Sequence, residues 1–361
     1  MADSLTISVV LPTRGRPEML TEAVASVLAQ ERAADELIVV DDGGGGEAER
    51  VVQEVCGAGG TRVVVLRGAG RGPGAARNVG LRAATGDLVA FLDDDDLWLP
   101  MKLAWQVEWF ARRPGLGLLG GLAVGGGGRR LALSRAEGHA RPTPAGRTSK
   151  GDDGGHADAY PPYNNGGGHG NARPTERPQR IEVISRAALL RANRLGMSSV
   201  MARRECLGEG FEESLPLAQD WDLWLRVGRR LRVGCRLRVG CRLRVAREWE
   251  VGLLRAPLYV YRRHEGQRSA DQAKMRRWEA AVIERAIARD DAEGPWLEGV
   301  ARRRLAWAHG RLGRMLVRGG ETQRAWEELC RSVSLFRFNP VVWAALARCA
   351  LAAWPAEGAK P

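Results

Sequence analysis

Gly86–Pro100 reads GDLVAFLDDDDLWLP. An apolar run, Leu88 to Leu92, drives into four consecutive aspartates, Asp93 to Asp96, and Leu97-Trp98-Leu99 then resumes the apolar pattern. A short apolar run bounded by turn residues predicts a buried strand. Neighbouring carboxylates at its end repel and raise one another's pKa unless a cation lies among them. Hard divalent cations take carboxylate oxygens and leave positions open for phosphate oxygens. The plain alternative is a solvated acidic turn, but such a turn is seldom hemmed in by apolar residues on both sides.

Upstream the same arrangement recurs. TISVVL (Thr6 to Leu11) predicts a buried strand, and Pro17 to Gln30 a helix with Leu20, Val24, Val27 and Leu28 on one side. Glu36 to Val40 predicts a second strand ending in Asp41-Asp42, Glu47 to Cys56 a helix, and Arg62 to Leu66 a third strand. Pro73 to Ala84 predicts a helix opening after a Gly/Pro turn, before the strand at Leu88 to Leu92. Strand and helix alternating at this pace imply a parallel α/β sheet. In such sheets ligands bind outside the carboxyl ends of the strands. Thr13 and Arg14 follow the first strand, Asp41 and Asp42 the second, and Asp93 to Asp96 the fourth, so three strand ends carry convergent polar groups.

The chain has 361 residues, room for one large domain or two ordinary ones, and its 44% hydrophobic and 27% charged residues suit a folded soluble protein. The net charge of +12 is almost all arginine; only Lys102, Lys150, Lys274 and Lys360 are lysines. With alanine and glycine also abundant, that skew fits a coding bias as well as a binding patch. No aromatic-and-basic recognition signature accompanies it, so nucleic acid is not an expected partner. The six cysteines form no CxxC pair, which argues against a zinc or redox motif and for reduced cytosolic thiols. MADSLTISVVLPT lacks the pattern of a signal peptide. Val341 to Pro355 is broken by Arg348 and too short to span a bilayer. The expectation is a cytoplasmic protein, soluble or at most peripheral at the inner membrane face.

Residues 125–180 are rich in Gly, Pro and Arg without apolar period, which predicts a long flexible insert. Its His139, His156 and His169 are irregularly spaced and unsuited to a metal site. Order returns at Ile181, with a helix over Arg186 to Arg194. At 228–246 the hexamer RLRVGC occurs twice and begins again; each copy keeps the same strand face, because six is a multiple of two. A repeat expansion tolerated in a surface loop explains it more simply than a basic surface for an anionic acceptor or lipid headgroup. From Gln272 onward the pattern is helical.

ISVVLPTRGRPEMLTEAVASVLAQ, ELIVVDDGG and GPGAARNVGLRAATGDLVAFLDDDDLWLP, in that order, resemble the family 2 glycosyltransferases, which have the GT-A fold. The resemblance resumes at MSSVMARRECL, QDWDLWLRV and YVYRRHEGQRS and covers most of residues 1–270. It implies a mixed, mostly parallel Rossmann-like sheet with flanking helices: a nucleotide-sugar half at 1–124, the insert at 125–180, and an acceptor half at 181–270. The remainder, 271–361, is a helical region. Within it ARRRLAWAHGRLGRMLVRGGETQRAWEELCRSVSLFRFNPVVWAALARCAL resembles a tetratricopeptide-like helix pair, with Gly320, Ala325 and Pro340 near favoured positions.

The family resemblance further implies inverting transfer from a nucleotide-sugar, UDP-linked by preference, to a glycan, lipid-linked or other hydroxyl acceptor. Its acidic metal motif falls on Asp93-Asp94-Asp95, with Asp95 the direct ligand of Mn²⁺ or Mg²⁺. Asp93 joins the metal or, with Asp94, holds ribose, and Asp96 caps the next turn. Asp42 would accept from the ring N–H of the base. Pro12 and Thr13 would lie along the nucleotide, with Arg14 where the family often has an aromatic residue, and Arg77 would pair with phosphates. The general base falls on Asp220, preceded by Gln219 in place of the usual Glu. Asp222 reads as a helix-start carboxylate, and Trp221 and Trp224 as partly core. His264 matches a late histidine that reaches the metal or diphosphate in some relatives. Three rivals stand beside this reading. A nucleotidyltransferase would carry a lysine-bearing glycine-rich loop where this chain has PTRGRP. A degenerate scaffold would work through its helical tail and a protein partner. A nucleic-acid binder would show a steep salt dependence.

Overall fold

The computed structural model describes residues 5–56, 60–126, 177–229, 249–264, 267, 271–289 and 294–353. Most of the insert with its three histidines, and nearly all of the hexamer repeat, lie outside the described residues.

Four strands form the parallel half of the sheet: β1 (Ile7–Thr13), β2 (Glu36–Asp41), β3 (Arg62–Arg67) and β4 (Leu88–Phe91), in the order β3-β2-β1-β4. β1 is buried along its whole length, as a central strand covered on both faces must be. It runs two residues past Leu11, because Pro12 and Thr13 still pair with Val40 and Asp41 of β2. The second half is mixed. β8 (Met201–Arg203) runs antiparallel to β4 and to β6 (Leu116–Gly126), and β6 runs parallel to β9 (Glu250–Arg262). Antiparallel to the long β9 lie β5 (Asp96–Trp98) at one end and β7 (Ile181–Val183) at the other.

Strand side chains alternate between faces, and this divides the interior into two cores. Ile7, Val9 and Leu11 of β1, with Leu37 and Val39 of β2, meet Leu20, Val24 and Val27 of α1 (Pro17–Leu28), Val51 of α2 (Glu47–Val55) and Phe110 of α4 (Lys102–Arg112). Val10, Ile38, Val40 and Phe91 face the other way, toward α3 (Pro73–Ala83), α5 (Arg186–Arg191) and α6 (Gln219–Val227). α3 lies close on the sheet because Gly80 leaves room there; a Cβ would collide with the Val10 side chain. Trp221 and Trp224, read as partly core, are wholly so, at 1% and 0% exposure.

Two helices end earlier than their spacing predicts. α1 stops at Leu28, because the Gln30 amide leaves the helix to bond Ser26 O and Leu99 O and to accept from Leu103 N–H. α5 stops at Arg191, where Ala192 turns extended (φ −161, ψ 148). The chain then leads Asn193 toward α6.

Among the described residues the C-terminal region is four helices: α7 (Gln272–Ala288), α8 (Pro295–Arg318), α9 (Thr322–Leu335) and α10 (Pro340–Ala353). α7 and α8 pack on the sheet-bearing body, contributing Val282, Ile283, Val300 and Leu305 to its core. Leu312 and Leu316 of α8 form a separate cluster with Ala325 and Leu329 of α9 and Val342 and Leu346 of α10. Inside this region buried His309 bridges α9 and α7, its Nδ1 2.6 Å from Glu328 and its Nε2 3.5 Å from Glu284. Burial opposes its charge, but the two glutamates outweigh that and raise its pKa to about 9.

Candidate active site

Asp93 to Asp95 occupy the turn between β4 and β5, closed by Asp96 N–H donating to Asp93 O at 3.0 Å. Arg262 of β9 locks this turn from behind: its Nε donates to Asp95 O at 2.7 Å and its Nη2 to Asp94 O at 2.9 Å. Ser198 organises two of these residues at once, its Oγ accepting from the Asp93 backbone N–H at 3.2 Å and donating to Asp96 Oδ2 at 2.6 Å. Asp96, read as the cap of the next turn, instead heads β5 with only 4% exposure. Asp93, Asp95 and Asp96 each place a carboxylate oxygen within 4.8 Å of the others. Such an all-oxygen, hard donor set fits Mg²⁺ or Mn²⁺ and suits softer thiophilic metals poorly.

Asp94 points elsewhere. It is 2% exposed, accepts from Thr13 Oγ1 at 2.8 Å and pairs with Arg16 Nη2 at 2.7 Å. Burial raises its pKa to about 6, against the pull of Arg16 and Thr13. Burial likewise raises Asp96 well above the ordinary carboxylate value, and the Asp95 charge adds to this. Arg16 is the cation already present: its Nη1 lies 3.1 Å from Asp95 Oδ2 and 3.2 Å from His264 Nε2. His264 Nε2 is itself 3.1 Å from the same Asp95 oxygen.

A second line of polar contacts leads away from Asp93. Arg77 of α3, 5% exposed, donates from Nη2 to Asp93 Oδ1 at 2.5 Å and from Nη1 to Gln219 Oε1 at 3.2 Å. Gln219 opens α6, and its amide also donates to Leu215 O. A Cβ at Gly74 would come 2.7 Å from the Gln219 amide nitrogen, so a larger residue there would displace the end of the Gln219 side chain. Asp220 comes next, its Oδ2 accepting from Asn193 Nδ2 at 2.7 Å. Burial raises its pKa and the Asp93 charge adds to this, against Asn193, the Trp221 N–H and Arg77. The preceding residue, Ala218, holds φ 58, the one positive φ at a non-glycine among the described residues. Non-glycine residues in that region are strained, and the surrounding structure must hold them there. Asp222 is fully buried and answers two arginines, Arg226 at 3.0 Å and Arg289 at 2.9 Å. It therefore ties α6 to the end of α7.

Asp42 closes the far side. Its carboxylate accepts from Gly70 N–H at 2.9 Å and Gly72 N–H at 2.8 Å. Both glycines hold left-handed φ, +69 and +94, which other residues rarely adopt. The carboxylate thus shapes the loop leading into α3, and each oxygen keeps a lone pair for one further donor. Pro12 and Thr13 are buried at the end of β1, and Arg14 is exposed just beyond. Between α3, α6 and α7 opens a cavity of ≈ 650 Å³ lined by Gly72, Pro73, Gln219, Lys274 and Trp278 among others.

The structure thus joins Thr13 to Asp94 and His264 to Asp95 through direct contacts, gathers Asp93 beside Asp95, and ties Asp220 to Asp93 through Gln219 and Arg77. Asp42 and Arg14 stand at neighbouring strand ends. Sequence reasoning missed Arg16, Asn193, Ser198 and Arg262. For Arg16 a signal existed, since it lies in the turn after the first strand; the other three are placed by contacts distant in the chain.

Residues 8–158 match the family described as Glycosyl transferase family 2. That match spans less than half of the chain. An uncharacterized glycosyltransferase of Nostoc sp. is 35% identical over 113 residues, 31% of this chain and 35% of that protein. The E. coli UDP-Glc:alpha-D-GlcNAc-diphosphoundecaprenol beta-1,3-glucosyltransferase WfgD is 32% identical over 107 residues, 29% of this chain and 41% of that protein. The chain therefore spans less than half the length of these relatives. The fold extends further: S. aureus TarS 1-349 in complex with UDP superposes with a TM-score of 0.54 at 17% identity, covering 96% of this chain and 88% of that one. The architecture is that of the GT-A glycosyltransferases. No described helix is long and apolar enough to cross a membrane.

Proposed function

We propose that this protein is a metal-dependent inverting glycosyltransferase that moves a sugar from a UDP-sugar to a hydroxyl acceptor in polysaccharide or glycoconjugate synthesis. The observation that carries this reading is the continuous path from the Asp93, Asp95 and Asp96 carboxylates through Arg77 and Gln219 to Asp220. It supports a reading in which a diphosphate binds beside the base. The UDP bound to the structural neighbour and the UDP-Glc in the name of WfgD support the choice of nucleotide.

Asp95 and Asp93, with Asp96 and His264 beside them, would hold Mn²⁺ or Mg²⁺. When bound there, the cation would supply positive charge to the leaving diphosphate. Arg77 pairs with phosphate oxygens as the diphosphate arrives, a role suited to a planar guanidinium. Pro12, Thr13 and Arg14 line the nucleotide, and Asp42 accepts from the ring N–H of its base. Asp94 buttresses Thr13 and Arg16. Asp220 takes the proton of the acceptor hydroxyl as the acceptor oxygen bonds the anomeric carbon and the bond from that carbon to the diphosphate breaks. A carboxylate with a raised pKa is a better proton acceptor near neutral pH.

The acceptor is a glycan or a lipid-linked or other hydroxyl, and the protein works in the cytoplasm, at most in peripheral contact with the inner membrane face. The C-terminal helices, including the tetratricopeptide-like pair, act first as a brace on the acceptor half, and α9 and α10 leave a surface for a protein partner. The test is donor turnover by wild type and Asp220→Asn. A loss of about 10²–10⁴-fold in kcat with donor binding retained is expected of a general base. Unchanged turnover would remove Asp220 from the reaction, and no turnover of any nucleotide-sugar by folded wild type would favour the scaffold reading.

A further inference from the structure

A second cavity, of ≈ 350 Å³, lies apart from the strand-end carboxylates, between the end of α5 and the first half of α8. Its lining is Val300 and three arginines: Arg191, Arg303 and Arg304. Like charges gathered around one opening repel one another unless an anion joins them.

Arg304 is the built part of this site. Its side chain is 9% exposed and held on three sides. Nε donates to Arg191 O at 2.8 Å and Nη2 to Glu279 Oε2 at 2.7 Å, while the guanidinium lies over the rings of Trp307 (4.5 Å) and Trp221 (5.1 Å). The remaining nitrogen, Nη1, is buried and has no hydrogen-bond partner among the described residues. A buried charged donor left unpaired is costly, so natural sites rarely keep one without a use. Glu279 cannot answer the whole charge, because it also accepts both hydrogen bonds from Arg276 Nη1, at 3.0 and 2.8 Å. Arg191 and Arg303 are exposed, and no carboxylate among the described residues pairs with either. Guanidinium forks bind phosphate oxygens in pairs, with a geometry ammonium groups do not match.

We propose that this cavity is an anion site that binds a phosphoryl group, with Arg304 as its fixed floor and Arg191 and Arg303 as its closing rim. The volume admits a diphosphate or a glycerophosphate headgroup, larger than a single inorganic phosphate. The site stands independently of the transferase reading, but it is placed to be felt there. Arg191 lies two residues before Asn193, which holds Asp220, and Arg304 lies over Trp221, the residue after Asp220.

The experiment is calorimetric titration of the full chain with pyrophosphate in low salt, with a chelator present so that no metal binds at the aspartates. Wild type is compared with Arg191→Gln/Arg303→Gln, whose two side chains are exposed and leave the core intact, and with Arg304→Lys, which keeps charge but loses the fork. Wild type binds pyrophosphate, and affinity falls by about tenfold or more in the double variant, as loss of charged hydrogen bonds predicts. Sedimentation with phosphatidylglycerol vesicles, against phosphatidylcholine vesicles, then separates the sources. Capture lost in the double variant supports the site with a lipid headgroup as ligand; pyrophosphate binding without vesicle capture supports it with a soluble phosphate ester. No pyrophosphate binding to folded wild type, or equal binding in the double variant, overturns the proposal.

Discussion

Asn193→Leu tests whether Asp220 is the base, and by how much its surroundings tune it. Leucine matches asparagine in shape but donates nothing. The bond it removes is the 2.7 Å contact from Nδ2 to Asp220 Oδ2. A hydrogen bond to a charged group is worth about 1.5–3 kcal/mol, and 1.36 kcal/mol is one pKa unit, so the Asp220 pKa should rise by about 1–2 units. The sign follows from the chemistry: the hydrogen bond favours the carboxylate, and without it the protonated form persists to higher pH. Because the base acts when deprotonated, kcat/KM of both enzymes rises with pH on the acid side. In Asn193→Leu that limb moves to higher pH by about 1–2 units, while the plateau above it changes little. The assay is the pH profile of kcat/KM with saturating metal. An acid limb that stays in place, in a variant with wild-type folding, would refute the assignment of Asp220 as the titrating base.

Buried groups and close approaches set the other expected outcomes. His309 has a folded pKa raised from 6.5 to about 9, so its contribution to stability is full below pH 6.5 and is lost as pH rises through 9. His309→Leu should be less stable than wild type by about 1–2 kcal/mol at pH 6 in denaturant melts, discounted for the exposed Glu284, with the deficit gone by pH 10. Lys102 is wholly buried beneath Trp98, and burial lowers its pKa well below 10.5. Its folded form therefore binds fewer protons than its unfolded form. Relative to Lys102→Met, wild type should gain stability as pH rises toward 10.5, by at most about 1.4 kcal/mol per pH unit. Gly80→Val should cost about 1–3 kcal/mol by forcing α3 off Val10, seen as a lower denaturation midpoint.

The parallel half of the sheet is legible because its signals are local. β1 to β4 are short β-branched runs separated by amphipathic helices, and each boundary fell within two residues of the expectation. The strand-end carboxylates are legible for the same reason, since the fold alone dictates that strand ends gather. What a single sequence hides is who meets whom across distance. Arg262 and Arg16 are 246 residues apart in the chain, yet both hold the same aspartate turn, one by carbonyls and one by carboxylates. Asn193 reads as the tail of a helix until Ala192 turns extended and frees it for Asp220. Asp96 reads as a turn residue because nothing nearby announces that Ser198 will bury it. The mixed half is equally opaque: β5 and β8 are three residues each, too short to carry a period.

Nucleotide binding measured by calorimetry, with UDP, GDP and dTDP each titrated with and without Mn²⁺ into wild type and Asp95→Asn, tests the central claim most directly. The account predicts that UDP binds wild type in a metal-dependent manner and that the metal dependence is lost in Asp95→Asn. Metal-independent binding in both proteins, or no binding of any nucleotide to folded wild type, would contradict it.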